Sequence, residues 1–121
     1  MNINEQLQSI LGEVRSSIPE IRGALVASTD GLAIAHNVST GDPARLAAMV
    51  STALGLGKRI CDTFGGGSLN ETSITGDAGQ VYVYAAGSQG VLAVMSSPGA
   101  NVGLIHIECR SAANRVASVL G

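Results

Sequence analysis

An uncharged helical pattern between residues 43 and 64 constrains the fold more than any other stretch of the chain. Residues 46–57 carry no charged side chain. Wound as a helix at about 100° per residue, the stretch places its larger apolar side chains in one broad arc. We expect this arc to pack on the chain's own sheet. Its members are Leu46, Met49, Val50, Ala53, Leu54, Leu56, Ile60, Cys61 and Phe64.

The opposite side of this helix carries small side chains where a charged, solvated face is usual. Small residues one turn apart allow two helix backbones to approach closely. The simplest partner is the same helix of a second copy, in a two-fold dimer. The alternative is another helix of the same domain. The small residues are Ala44, Ala48, Ser51, Thr52 and Gly55, and charges enter only at the end, with Lys58, Arg59 and Asp62.

The composition narrows the classes of function. The 121 residues predict one domain, 1–121. Charged residues make up 13% of the chain, about half the usual share, which favours a surface covered by a partner. Aromatic residues make up 2%, the net charge is −2 and the basic residues are scattered. We therefore expect no nucleic-acid partner and no membrane insertion. The polar start of the chain has no signal-peptide pattern, which predicts a cytoplasmic protein.

Local patterns predict three helices and five strands. Asp30-Gly31 between two apolar runs is a strong hairpin signal. Ser39, Thr40 or Asp42 can cap the central helix, and Pro43 suits its first turn. The fold class is therefore α+β, a five-stranded antiparallel sheet flanked by helices in a sandwich of order α-β-β-α-β-β-β-α. The predicted helices are 2–18, 43–64 and 102–120, and the predicted strands are 22–28, 32–37, 69–75, 81–86 and 91–97.

The strand LNETSIT, residues 69–75, is polar for a strand and is predicted to lie at a sheet edge. Its unpaired backbone groups could then pair with the same strand of a second copy. The two pairings together, helix on helix and strand on strand, would join two sheets into one.

Motifs for catalysis or metal binding are weak. Gly57-Lys58 resembles the end of a phosphate-binding loop, but Thr52 and Arg59 stand where that motif needs Gly and Ser or Thr. His36 and His106 have no cluster of further ligands beside them. A Ser–His–Asp triad is a spatial arrangement that sequence leaves open, but no nucleophile-elbow motif is present. We predict no catalytic residues, no cofactor and no metal. We expect Cys61 and Cys109 to be buried, reduced thiols, with a disulfide or a reactive thiol as the alternative.

The order of elements, the small-residue central helix, the Thr29-Asp30-Gly31-Leu32 hairpin and the ending PGANVGLIHIECRSAANRVASVL (98–120) resemble the roadblock/dynein light chain family. Among its members, the chain is most similar to the short bacterial stand-alone proteins of the MglB and conservon types. The resemblance implies homodimers or heterodimers formed through the central helix and the strand after it. It also implies a scaffold or regulator for Ras-like small GTPases.

Mapped onto this chain, the resemblance predicts one set of site residues, the dimer interface, and it carries over no GTPase contacts. Charges at the end of an uncharged helix suggest the GTPase contacts, Lys58, Arg59 and Asp62. The alternative function is a small-molecule sensor or adaptor module without GTPase contact. The predicted dimer interface is Ala44, Ala48, Ser51, Thr52, Gly55 and Arg59 on the helix, with Glu71, Thr72 and Ser73 on the edge strand.

Overall fold

The computed structural model describes residues 1–39 and 41–121. The order of helices and strands confirms the predicted α-β-β-α-β-β-β-α fold. Predicted and observed ends agree within three residues, and the central and last helices agree at both ends. The elements are α1 (Ile3–Ser17), β1 (Ile21–Ser28), β2 (Ala33–His36), α2 (Pro43–Phe64), β3 (Thr72–Gly76), β4 (Gly79–Ala86), β5 (Gly90–Ser96) and α3 (Val102–Leu120).

The five strands form one antiparallel sheet in the order β2-β1-β5-β4-β3. Ala93 in the central strand β5 lies opposite both Leu25 of β1 and Val83 of β4. The predicted edge position of the polar strand is confirmed, because β3 pairs only with β4 in the described chain. That strand begins at Thr72, so residues 69–71 form a connection outside the sheet.

Alternation along the strands divides the interior into two cores. Tyr82, Tyr84 and Leu92 point to the side that α1 and α3 cover together. Leu25, Val83 and their like-facing neighbours point to the other side, where α2 packs alone. A single helix therefore crosses one whole face of the sheet and contacts all five strands.

Both ends of α2 are capped by local chemistry. The Asp42 carboxylate accepts hydrogen bonds from the backbone N–H groups of Ala44 and Arg45, and Pro43 occupies the first turn. Of the three predicted caps, Asp42 is the one observed, and Thr40 lies outside the described residues. Gly65 ends the helix with φ of 75°, a left-handed conformation that glycine adopts without steric cost.

Removal of the Asp42 cap is expected to destabilise the protein measurably. Asp42→Ala leaves two backbone N–H groups without their acceptor, which costs about 1 kcal/mol of unfolding free energy. Thermal unfolding followed by circular dichroism should show a Tm lower by about 4 °C for a chain of this size. Asp62→Ala, the same change in the last turns of α2, serves as the control, because a carboxylate there opposes the helix dipole. An equal loss of Tm in both variants would contradict the assignment of the cap.

Candidate functional site

The face of α2 that packs on the sheet is narrow, and some of its side chains are small. Its buried residues are Ala47, Val50, Ser51 and Leu54. Ala47 is fully buried, so the helix backbone approaches the sheet closely at this point. The Ser51 hydroxyl donates a 2.9 Å hydrogen bond to the Ser28 carbonyl at the end of β1. Ser51 was predicted as a dimer contact, but its hydroxyl is hydrogen-bonded within its own domain.

The expectation that the whole apolar arc packs on the sheet is wrong. Exposed fractions reach 57% for Met49, 53% for Leu56 and Ile60, and 70% for Phe64. A helix lying on a flat sheet buries a stripe roughly 100° wide, whereas the arc spans roughly 160°. Small Ala47 and Ser51 extend the buried stripe to one side, and the helix is rotated so that the far side of the arc faces outward.

The outward part of the arc forms a compact surface, which we call the apolar flank: Met49, Ala53, Leu56 and Ile60. At about 100° per residue, these four side chains fall within roughly 60° of the helix circumference. An exposed cluster of large apolar side chains is typical of a protein–protein contact.

The other predicted interface residues on α2 lie beside the apolar flank or away from it. Thr52 and Arg59 border it on the helix surface. Ala48 lies against the β1–β2 turn, since a Cβ added to Gly31 would be 3.4 Å from the Ala48 Cα. Gly55 has open space above it, with no atom within 4 Å of an added Cβ. Exposed Ala44 lies on the same small side as Gly55.

The edge strand β3 adds a second unpartnered surface next to α2. Ile74 is 50% exposed and pairs with Val81, which packs at the margin of the core under α2. Ile74 therefore points to the α2 side of the sheet. Thr72 lies directly under the helix, because a Cβ added to Gly57 would come within 2.6 Å of the Thr72 hydroxyl. Gly57 thus permits the close contact between α2 and the sheet edge.

Glu71 faces the opposite side, where it is held by α3. Its carboxylate forms an ion pair with Arg110 and lies 3.6 Å from Nε2 of His106. The Nδ1 atom of His106 is joined to the Tyr84 hydroxyl by a 2.7 Å hydrogen bond. Sequence reasoning missed this network because its members are far apart along the chain. Glu71 is therefore anchored within its own domain, whereas Ser73 is exposed on the edge strand.

Two titratable side chains are buried under α3 and stay neutral at neutral pH. Burial raises the pKa of the Tyr84 phenol well above its ordinary value. Burial also raises the pKa of the Cys109 thiol, to about 12, although a hydrogen bond with Tyr84 acts in the opposite direction. Both groups are consequently neutral, and they act as packed core side chains.

The end of α2 presents three exposed charged side chains. Lys58, Arg59 and Asp62 are exposed, and none of them takes part in an ion pair within residues 1–39 and 41–121. The same part of the chain contains no group of three or more His, Cys, Asp or Glu side chains that could hold a metal ion. In the described residues, each helix is too short or too polar to cross a membrane.

The sequence of this chain matches a known protein family. The family model of the Roadblock/LC7 domain matches residues 9–96. The chain belongs to the roadblock/LC7 family. The uncharacterized proteins MJ0310 and MJ1340 of Methanocaldococcus jannaschii are each 36% identical over 97 residues, which is 79% of this chain and 84% of each relative.

Solved structures support the same fold. A Roadblock/LC7 domain from Streptomyces avermitilis matches with a TM-score of 0.85 at 25% identity, over 93% of this chain and 95% of the other. The gliding protein MglB from Thermus thermophilus matches with a TM-score of 0.84 at 20% identity, over 98% and 91% of the two chains. The match of the family model confirms the family predicted from the sequence.

Proposed function

We propose that this protein is a homodimeric, non-catalytic regulator that binds a Ras-like small GTPase and modulates its nucleotide cycle or its localisation. Roadblock/LC7 domains form a non-catalytic regulatory family, which supports the absence of an active site. The observation that carries the proposal is the apolar flank of α2, exposed beside an unpaired edge strand. We predict a cytoplasmic location.

One two-fold rotation between two copies of the chain would bury both the apolar flank and the edge strand β3. An axis perpendicular to the sheet at β3 would pair β3 with its copy in antiparallel register and would form a ten-stranded sheet. The same operation would bring the two α2 helices side by side on one face of that sheet. Ile74 and the apolar flank lie on this face, so both would be covered at once.

The apolar flank is a better centre for this interface than the small residues. Leu56 and Ile60 each have more than half of their surface exposed, and their burial would release water from a large apolar area. Thr52 and Arg59 would line the rim of the contact. The small side chains Ala44, Ala48 and Gly55 form the alternative interface, and a comparison of Gly55→Arg with Leu56→Arg distinguishes the two.

The GTPase contact is proposed at the charged end of α2. Lys58 and Asp62 are exposed and one helical turn apart, on the side away from the apolar flank. They would therefore stay accessible after dimerisation. Arg59 lies between this pair and the apolar flank and could contact either a second copy or the GTPase.

A charge exchange tests the GTPase contact without changing the net charge. Lys58→Glu combined with Asp62→Lys reverses both signs and should weaken binding at least about tenfold, because like charges then oppose each other at the contact. Binding is measured by calorimetry with the Ras-like GTPases encoded in the same genome, each loaded with GDP or with a non-hydrolysable GTP analogue. Arg45→Glu, a charge reversal at the start of α2, serves as the control.

Two results would change the proposal in different ways. Binding of no Ras-like GTPase in either nucleotide state would reject the proposed function and favour a sensor or adaptor module. Full binding by the charge-exchanged variant would reject only the contact at Lys58 and Asp62. Light scattering on each variant verifies that the oligomeric state is unchanged before binding is compared.

A further inference from the structure

A groove of about 800 Å³ lies on the α2 side of the sheet, beside the first turns of α2. Leu46 of α2 forms one wall, and Val81 of β4 and Met95 of β5 form an apolar floor. Both floor residues are only partly buried, because α2 packs on the sheet alone and leaves this end uncovered. None of the four residues of the apolar flank lines the groove.

Two guanidinium groups stand at the rim of this groove. Arg22 extends from β1 across the sheet, since a Cβ added to Gly79 of β4 would be 3.1 Å from its Nη1 atom. Arg15 extends from the end of α1 and donates a 2.7 Å hydrogen bond to the Asn37 carbonyl.

The two arginines give this rim a positive charge. Neither arginine forms an ion pair in the part of the chain that the structure describes, and the residues lining the groove include no Asp or Glu. These arginines are two of seven basic residues in a chain whose net charge is −2. A positive rim above an apolar floor is therefore a local feature and does not reflect a generally basic surface.

We propose that the groove binds an anionic amphiphile, with one alkyl chain on Leu46, Val81 and Met95 and a carboxylate or phosphate head between Arg15 and Arg22. The guanidinium fork matches the oxygen pairs of both head groups. The volume lies within the roughly 300–1,000 Å³ typical of small-molecule sites. Binding at this site requires neither the dimer nor a GTPase, so its test is independent of the test of the proposed function.

Calorimetry with hexanoate, octanoate and decanoate, each below its micellar concentration, tests the apolar floor. Affinity should rise by up to about fourfold for each methylene that the groove buries. Octanamide should bind at least about tenfold more weakly than octanoate, since it lacks the charge that the arginines recognise. Octyl phosphate, compared with octanoate, identifies which of the two head groups the site prefers.

Single substitutions test the rim. Arg15→Gln and Arg22→Gln should each weaken octanoate binding about tenfold. Arg45→Gln should leave it unchanged, because Arg45 precedes Leu46 in the first turn of α2 but does not line the groove. Amide chemical shifts in the NMR spectrum should change at Val81 and Met95. The proposal is overturned by equal binding of octanoate and octanamide, by full binding in both groove variants, by shift changes confined to the apolar flank, or by no saturable binding.

Discussion

Leu56→Arg is expected to convert the protein from a dimer to a monomer at tens of micromolar. Leu56 is 53% exposed at the centre of the apolar flank, so an arginine there is solvated and harmless in the monomer. In the proposed dimer, two copies of the charge would be buried near the two-fold axis without a partner. An unpaired buried charge costs about 3–5 kcal/mol, which raises the dissociation constant at least about 100-fold. Sedimentation velocity across a concentration series measures this change.

Gly55→Arg is the matched comparison, because it adds the same charge one residue away on the other side of the helix. An added Cβ at Gly55 meets no atom within 4 Å, so the monomer fold should accept it. We expect this variant to remain largely dimeric. If the Gly55→Arg variant is a monomer and the Leu56→Arg variant is a dimer, the dimer interface lies at the small residues, as the sequence predicted. If the wild-type protein is a monomer at tens of micromolar, both proposed dimer interfaces are ruled out.

The two cysteines are expected to differ in reactivity by more than about 1,000-fold at pH 8. Cys109 is fully buried under α3, and burial raises the pKa of its thiol to about 12. Only about one molecule in 10,000 then carries the reactive thiolate at this pH. Cys61 is half-buried on α2, and we expect reagent to reach its thiol. Labelling should therefore modify one thiol rapidly and the other only on the timescale of unfolding.

Single variants assign the two rates of labelling. Cys61→Ser should abolish the fast phase of reaction with a thiol reagent, and Cys109→Ser should leave that phase intact. Addition of denaturant should expose both thiols in the wild-type protein. Rapid labelling of Cys109 under native conditions would mean that α3 separates readily from the sheet, and it would contradict the closed core around Tyr84.

The elements of this fold follow from local signals in the chain. Asp42 and Pro43 start α2, Gly65 ends it, and Asp30-Gly31 turns β1 into β2. The starts and ends of these elements depend on backbone chemistry within a few residues, so they can be predicted without a structure. The polar edge strand was also predictable, because its composition is unsuited to a strand buried on both sides.

The rotation of α2 about its axis was not predictable from its apolar arc. Ala47 and Ser51 are unremarkable on a hydrophobicity pattern, yet they face the sheet because their small size brings the helix close to it. The ion pair of Glu71 with Arg110 and the positioning of Arg15 and Arg22 around one groove likewise join residues from distant segments. Contacts of this kind depend on strand order, which local periodicity does not contain.

The sequence by itself determined the element order and the sheet class, because capping, turn chemistry and apolar periodicity act over a few residues, and its resemblance to known proteins indicated the family. It also showed that α2 lacks a charged face, from which we predicted that the helix is covered on two sides. Only the tertiary structure decided which side each residue takes. That choice depends on how closely α2 approaches the sheet, and it left Leu56 and Ile60 facing outward, with Ser51 hydrogen-bonded inside.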